Sequence, residues 1–271
     1  MVKVVEWFGY AVQLLVDSRH EVVLSWRVTR PGADETEEVK RSVERAERVL
    51  PGGRMGMLTY DRAGEDGDVH KFLHERGIRA VIQNRAMWKE TEERMLPGHD
   101  GRSNVVYDEA GTLYCYDKES DPPVRRRMVD VGYEKSRGTL KYRCPIRHAG
   151  GKCKSDGRCN RGKRYGKTVR VRCEVDFRRF SSVPRATKQF ERIYKTRTAI
   201  ERVNGRLKLF WGLDDGNVCG AKRFHAHVGA VMLVHMAFAH RLADQSQGKG
   251  VLCKTRIAQL MRHRAAHQKP T

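Results

Sequence analysis

The sequence predicts an α/β protein whose core begins as alternating strands and helices, is interrupted by a basic β-rich insert, and is completed by C-terminal helices. Three observations predict it. Apolar and polar patterning over residues 1–85 reads β-β-α-β-α-β. Over residues 86–185 the texture changes to short β-rich runs, turns and a dense series of Arg and Lys, and from residue 186 a helical period returns. These three segments are the expected divisions of the chain.

Each element follows from its residues. Tyr10 to Val16 alternates and is β-rich, Ser18-Arg19-His20 supplies a turn, and Val22 to Val28 is a second β-branched run, so the pair is expected as a hairpin. Pro31-Gly32 stops it. Asp34 followed by Glu37 is a capping-box start for a charged helix running to about Leu50, which Pro51-Gly52-Gly53 ends. Met55 to Tyr60 reads as a short strand with Asp61 at its C-terminal end, Asp66 to Glu75 as a helix, and Ile78 to Gln83 as a strand after Gly77. Helices are expected from Ala186 through Leu213, over Ala221 to Ala243, and in a basic tail at Val251 to Ala266.

The charge points to a polyanionic partner. Lys and Arg number 54 against 33 Asp and Glu among 271 residues, a formal charge of +21. Two-thirds of that excess lies between Pro122 and Arg179, where 19 basic residues face 5 acidic ones. Arg125, Arg126, Arg127, Lys163, Arg164, Arg170 and Arg172, interleaved with Tyr133, Tyr142 and Tyr165, are expected to track phosphates, though a solvated face gives the same pattern. The longest apolar stretch, Val228 to Ala239, is broken by His235 and is shorter than the roughly 20 residues that span a bilayer, so no membrane segment is expected. No secretory pattern opens the chain, which predicts a reducing, cytoplasmic compartment and seven cysteines present as thiols or metal ligands. Cys144, Cys153, Cys159 and Cys173 are spaced C-x8-C-x5-C-x13-C, wider than the usual zinc pairs; a zinc site and free thiols both remain open. His225, His227 and His235 read as packed or solvent-edge residues rather than ligands.

The most informative stretch is Tyr194-Lys-Thr-Arg197-Thr-Ala-Ile-Glu201-Arg-Val-Asn-Gly-Arg-Leu-Lys208. On one continuous helix, Tyr194, Arg197, Glu201 and Lys208 fall within a stripe about 60° wide, beside an apolar stripe of Ile193, Ile200, Val203, Leu207 and Phe210. The plain reading is an Arg197–Glu201 salt bridge on an amphipathic helix. However, Tyr-x2-Arg-x3-Glu-x6-Lys resembles the signature of bacterial insertion-sequence transposases of the DDE type at all four positions. Trp7-Phe8-Gly9-Tyr10 with Leu15-Val16-Asp17, and Val28-Thr29-Arg30-Pro31 with Asp34, resemble the second and third strands of that family's ribonuclease-H-like core. Leu58-Thr59-Tyr60-Asp61, followed by Asp66, is similar to the fourth strand with the second catalytic aspartate at its end. Tyr142-Arg143-Cys144-Pro145 and Arg178-Arg179 resemble its insert.

The resemblance implies phosphodiester cleavage and strand transfer at transposon ends. Asp61 and Glu201 would be ligands of two Mg²⁺ or Mn²⁺ ions, Lys208 would contact DNA near the reacting phosphate, and Tyr194 and Arg197 would support that end of the site. The implied partners are duplex DNA, at transposon ends and at the target, within the bacterial cytoplasm and nucleoid, with self-association left open. The family's first catalytic aspartate precedes the Trp-Phe-Gly-Tyr segment, and none of the six residues before Trp7 is Asp. The expectation is therefore an N-terminally truncated, catalytically inactive chain. A non-catalytic DNA-binding remnant and a zinc-stabilised nucleic-acid-binding module remain the alternatives.

Overall fold

Asp34 stands at an extended backbone position and its carboxylate accepts the amide protons of Thr36 (2.9 Å) and Glu37 (3.4 Å), which starts the first helix, α1 (Glu35–Val49). Glu37 pairs with Lys40 at 2.9 Å instead of reaching back to the cap, so half of the expected capping box forms. The computed structural model describes residues 9–52, 55–85, 88, 93–97, 103–214 and 218–245, with side chains to residue 241. Trp7, Phe8 and the expected tail helix lie outside the described residues.

The chain divides into two compact units, one of Met1–Gly52 with Thr196–Thr271 and one of Gly53–Lys195. In the first, β1 (Ala11–Asp17) and β2 (Val22–Thr29) form the expected antiparallel hairpin, with a bulge between Leu15 and Val16. α1 packs on both strands, α6 (Thr198–Leu209) on β1, and α7 (Ala221–Gln245) on β2. The core that α6 and α7 share with the hairpin gathers Val23, Val203, Leu207, Leu213, Val228, Val231 and Met232, with Trp26 and Trp211 against it. His235, on α7, is fully buried, and its Nε2 accepts the Val23 amide at 3.2 Å; it is a core histidine, as the sequence suggested.

In the second unit β3 (Met57–Tyr60), α2 (Gly67–Glu75) and β4 (Arg79–Ile82) make a βαβ element with parallel strands, Met57 opposite Arg79 and Tyr60 opposite Ile82. Asp66 caps α2 by accepting from Asp68 N (2.7 Å) and Val69 N (3.4 Å). Residues 94–172 of this unit are β-rich. β5 (Arg94–Met95), β6 (Val105–Tyr107), β7 (Leu113–Asp117) and β8 (Val124–Arg127) form an antiparallel sheet in that order. β9 (Val129–Glu134), β10 (Thr139–Arg143) and β11 (Thr168–Arg172) form a second one with β10 central. Short helices α3 (Pro145–Ala149) and α4 (Asp156–Asn160) lie between β10 and β11 in sequence, and α5 (Lys188–Tyr194) packs on β4. Among the described residues β1–β2 and β3–β4 are separate two-stranded sheets. Mixed helix and sheet bears out an α/β chain.

The insert's core runs from Val105, Tyr107 and Leu113 through Leu140, Tyr142, Val169 and Val171 to Phe180. A turn residue controls its closure. Gly111 has φ +81°, and a Cβ there would lie 2.1 Å from the Arg179 carbonyl oxygen. Gly111→Ala is expected to cost about 2–3 kcal/mol, from left-handed strain plus overpacking, read as a lower urea midpoint at unchanged slope.

Candidate functional site

Asp61 follows the last residue of β3, where the parallel ladder ends, and its Oδ1 accepts Arg62 N at 2.6 Å to cap a 3-10 turn over Arg62–Gly64. The carboxylate is exposed. Behind it sits a group that sequence reasoning missed. The Glu65 side chain, 1% exposed, pairs with Arg178 at 2.6 Å and Arg185 at 3.4 Å and accepts Arg85 N at 3.3 Å. Arg185 also donates to Ile82 O at 2.9 Å, so the end of β4 and the turn that follows β3 are fastened to residues 178–185. Burial lowers the Arg185 pKa to about 10 against the pull of Glu65, while the hydrogen bond to Glu65 raises that of Arg178. In the sequence Arg178 stands out only as half of the Arg178-Arg179 pair; with 54 basic residues, arginine content alone cannot single out Arg185.

The segment from Tyr194 to Lys208 departs from the single helix the sequence suggested. α5 ends at Tyr194, residues Lys195–Arg197 form a 3-10 turn, and α6 begins at Thr198. A 3-10 turn advances about 120° per residue instead of 100°, so a wheel drawn through the break misplaces Tyr194 relative to Glu201. Tyr194 stacks on Phe190 with centroids 5.7 Å apart and belongs to the 53–195 unit, whereas Arg197, Glu201 and Lys208 belong to the other. Within α6 the expected geometry holds. Arg197 and Glu201 pair at 3.2 Å, Ala199, Val203 and Leu207 face the core, and Glu201 is exposed. Lys208 pairs with Asp214 at 2.9 Å.

α6 is anchored by another residue absent from the sequence reading. Glu21, in the β1–β2 turn, is fully buried with φ +57°, bonds Arg202 Nε at 2.5 Å, and pairs with buried Arg206. Asp17 is occupied locally, accepting from Arg19 N at 2.9 Å and from His20 Nδ1 at 2.5 Å. Although burial opposes it, the hydrogen bond to His20 heads the contacts that draw the Asp17 pKa below the usual value.

The basic insert is partly a surface and partly a scaffold. Arg170 and Arg172 alternate with buried Val169 and Val171, so the period of two places them on the outer face of β11, and Lys163 and Arg164 are exposed nearby in sequence. Tyr165, 45% exposed, lies under Arg143 (4.0 Å to the ring centroid). Others are engaged: Arg125 pairs with Glu93 and covers the Tyr114 ring, Arg126 donates to Lys152 O at 3.0 Å, and Arg127 bonds Ala186 O, while Arg170 is both exposed and paired with Glu134 at 2.9 Å. Tyr142 does not join the surface. It points inward from β10, 3% exposed, because the strand's alternation places it on the core side with Leu140.

Of the four cysteines singled out by spacing, Cys173 stands apart. Thr139 pairs with Arg172 and Arg143 with Thr168, so Cys173 and Cys144 flank opposite ends of the β10–β11 ladder, roughly 20 Å apart at 3.3 Å per residue. Cys173 is a core residue beside Phe180. Among the described residues, no three His, Cys, Asp or Glu side chains stand in metal-ligating geometry, and no helix is long and apolar enough to cross a membrane.

No curated protein and no solved structure matches the chain. The family model described as "Transposase DDE domain" matches residues 5–237, spanning β1 through most of α7 and including Asp61, Glu201 and the whole insert. With most of its length accounted for by that match, the chain belongs to the transposase DDE domain family.

Proposed function

We propose that this chain is the ribonuclease-H-like part of a DNA transposase that cleaves and joins phosphodiester bonds at transposon ends, with Asp61 and Glu201 as two of its metal-holding carboxylates. The observation that carries the reading is Tyr194-x2-Arg197-x3-Glu201-x6-Lys208 inside a match to the family that includes Asp61 at a strand end. Both groups offer carboxylate oxygens, the donors that Mg²⁺ and Mn²⁺ take. A divalent ion bound there supplies Lewis-acid activation of the attacking hydroxyl and stabilisation of the leaving oxygen. The protein's part is to hold charge in place. Arg197 orients the Glu201 carboxylate through their 3.2 Å pair, and Glu65 steadies the strand end behind Asp61. Lys208 exchanges its exposed Asp214 partner for a DNA phosphate, a swap that costs little because surface pairs contribute at most about 1 kcal/mol.

The exposed Lys163, Arg164, Arg170 and Arg172 carry the duplex. Binding is expected to show little sequence preference and to weaken roughly a hundredfold between about 50 and 200 mM salt if about four phosphates are contacted. Affinity unchanged across a salt titration would contradict it. The metal assignment is tested by exchanging Mg²⁺ for Fe²⁺ with ascorbate and peroxide, which cuts the polypeptide beside the bound ion. Cuts near residues 61 and 201, lost in Asp61→Ala, are expected; cuts elsewhere, or none, would remove the assignment. Asp17 is committed to His20 and Glu21 to two arginines, so the 271-residue chain assayed by itself is expected to bind DNA without nicking it. Mg²⁺-dependent nicking abolished by Glu201→Ala would mean that the chain supplies the third carboxylate itself.

A further inference from the structure

The region between β10 and β11 holds together without an apolar core. From residue 144 to residue 167 the buried hydrophobic set contains Cys144 alone, and the other buried side chains there are the polar Ser155 and Asn160. What the region has is thiols. Cys144 follows β10, Cys153 lies in the loop between α3 and α4, and Cys159 is on α4; the fourth thiol, Cys115, comes from β7 in the other sheet.

Specific hydrogen bonds bring these four together. Asn104 donates through Nδ2 to the carbonyl of Tyr116, next to Cys115, at 2.7 Å and to Cys159 Sγ at 3.5 Å, which holds α4 against β7. Asp117, two residues beyond Cys115, accepts from Lys154 N (2.8 Å), Ser155 N (3.1 Å) and Ser155 Oγ (2.7 Å), fastening the residues just after Cys153 to the same strand. Asn160 Nδ2 donates to Cys144 Sγ at 3.7 Å, so the residue after Cys159 reaches the thiol at the end of β10. Burial raises the Cys115 pKa to about 11, and Cys144, Cys153 and Cys159 are the next contributors, while Lys167 opposes them. Arg126 likewise opposes the rise at Cys153. Two cations therefore face the group, and amide donors already point at two of its sulfurs, as thiolate ligands require of their surroundings.

We infer that Cys115, Cys144, Cys153 and Cys159 form a four-thiolate site for a soft divalent cation, zinc by preference, that fastens the α3–α4 region to the β7 sheet. The sequence spacing put Cys173 in this set; the β10–β11 register removes it and Cys115 takes its place. No three of these side chains stand in ligating geometry in the structure, so binding must turn the four thiols toward one another, and it releases up to four thiol protons to solvent as the metal–sulfur bonds form.

The test measures metal on the intact chain. Purified from zinc-containing medium, the protein should carry about one zinc per chain by atomic emission. Titration of the reduced apo-chain with Co²⁺ should give sulfur-to-cobalt charge-transfer absorption and tetrahedral d–d bands, saturating at about one equivalent. Cys115→Ser should lose both signals, whereas Cys173→Ala and Cys219→Ser should keep them. Absence of zinc together with no cobalt–thiolate absorption in the unmodified chain would overturn the site, whatever the variants do. Loss in Cys173→Ala with retention in Cys115→Ser would overturn this choice of ligands. Since Asp61 and Glu201 play no part in these readouts, the result stands or falls separately from the transposase reading.

Discussion

Glu21→Ala is expected to destabilise the unit built on the β1–β2 hairpin by about 3–5 kcal/mol, the usual effect of removing one member of a buried charge pair. Glu21 is fully buried and faces two guanidinium groups, of which Arg206 has a side chain only 5% exposed. Without the carboxylate, Arg206 keeps its desolvation cost and loses its counter-charge. The backbone gives an internal control: Glu21 has φ +57°, a region costing a residue with a Cβ roughly 1–2 kcal/mol, so Glu21→Gly should fall short of the alanine loss by about that much. Urea unfolding checks both variants, and equal midpoints for Glu21→Ala and the unmodified chain would show that the pair contributes nothing. Because Arg202 and Arg206 lie on α6, the same variant should also loosen the helix that presents Glu201, seen as faster amide exchange along residues 198–209.

Acid is expected to begin weakening both units above the range in which most carboxylates titrate. Burial, reinforced by Arg206, lowers the His235 pKa to about 4; burial, reinforced by Arg185 and Arg178 and opposed by Asp66, lowers that of His70 to about 3. In the unfolded chain each histidine titrates near 6.5. Below that pH the unfolded state binds a proton that the folded state refuses, so stability rises with pH over this window. The contribution is complete above pH about 6.5 and is lost as the pH falls toward about 4 for His235 and about 3 for His70, at roughly 3 kcal/mol for His235 and somewhat more for His70. The cause at His235 is local: its Nε2 accepts the Val23 amide, so a proton at that nitrogen would displace a buried backbone hydrogen bond. Unfolding free energies at pH 7.5 and 4.5 test this. His235→Gln keeps an acceptor that does not titrate, and it should flatten the pH dependence of the hairpin unit; an unchanged slope would assign the acid loss to carboxylates.

What the sequence determined by itself was set by neighbours two to four residues apart. Asp34 and Asp66 cap helices because the amides they satisfy follow within three residues, and the β-branched runs around Ser18-Arg19-His20 pair because the turn between them leaves little alternative. Asp61 at a strand end and the Arg197–Glu201 pair were legible for the same reason. The tertiary structure decided contacts whose partners are far apart in sequence. Glu65 meets Arg178 and Arg185 113 and 120 residues away, and Glu21 meets Arg206 185 residues away. Nothing in the spacing of a charge-rich chain says which arginine will be buried beside which acid. The cysteines follow the same logic: spacing favoured Cys173, and only the antiparallel register of β10 with β11 sends it to the far end of the ladder while β7 delivers Cys115. The 3-10 turn at Lys195–Arg197 is the converse case. It falls where the chain passes from one compact unit to the other, so two separate cores fix the helical phase on either side of it, and a period read from the sequence cannot carry through.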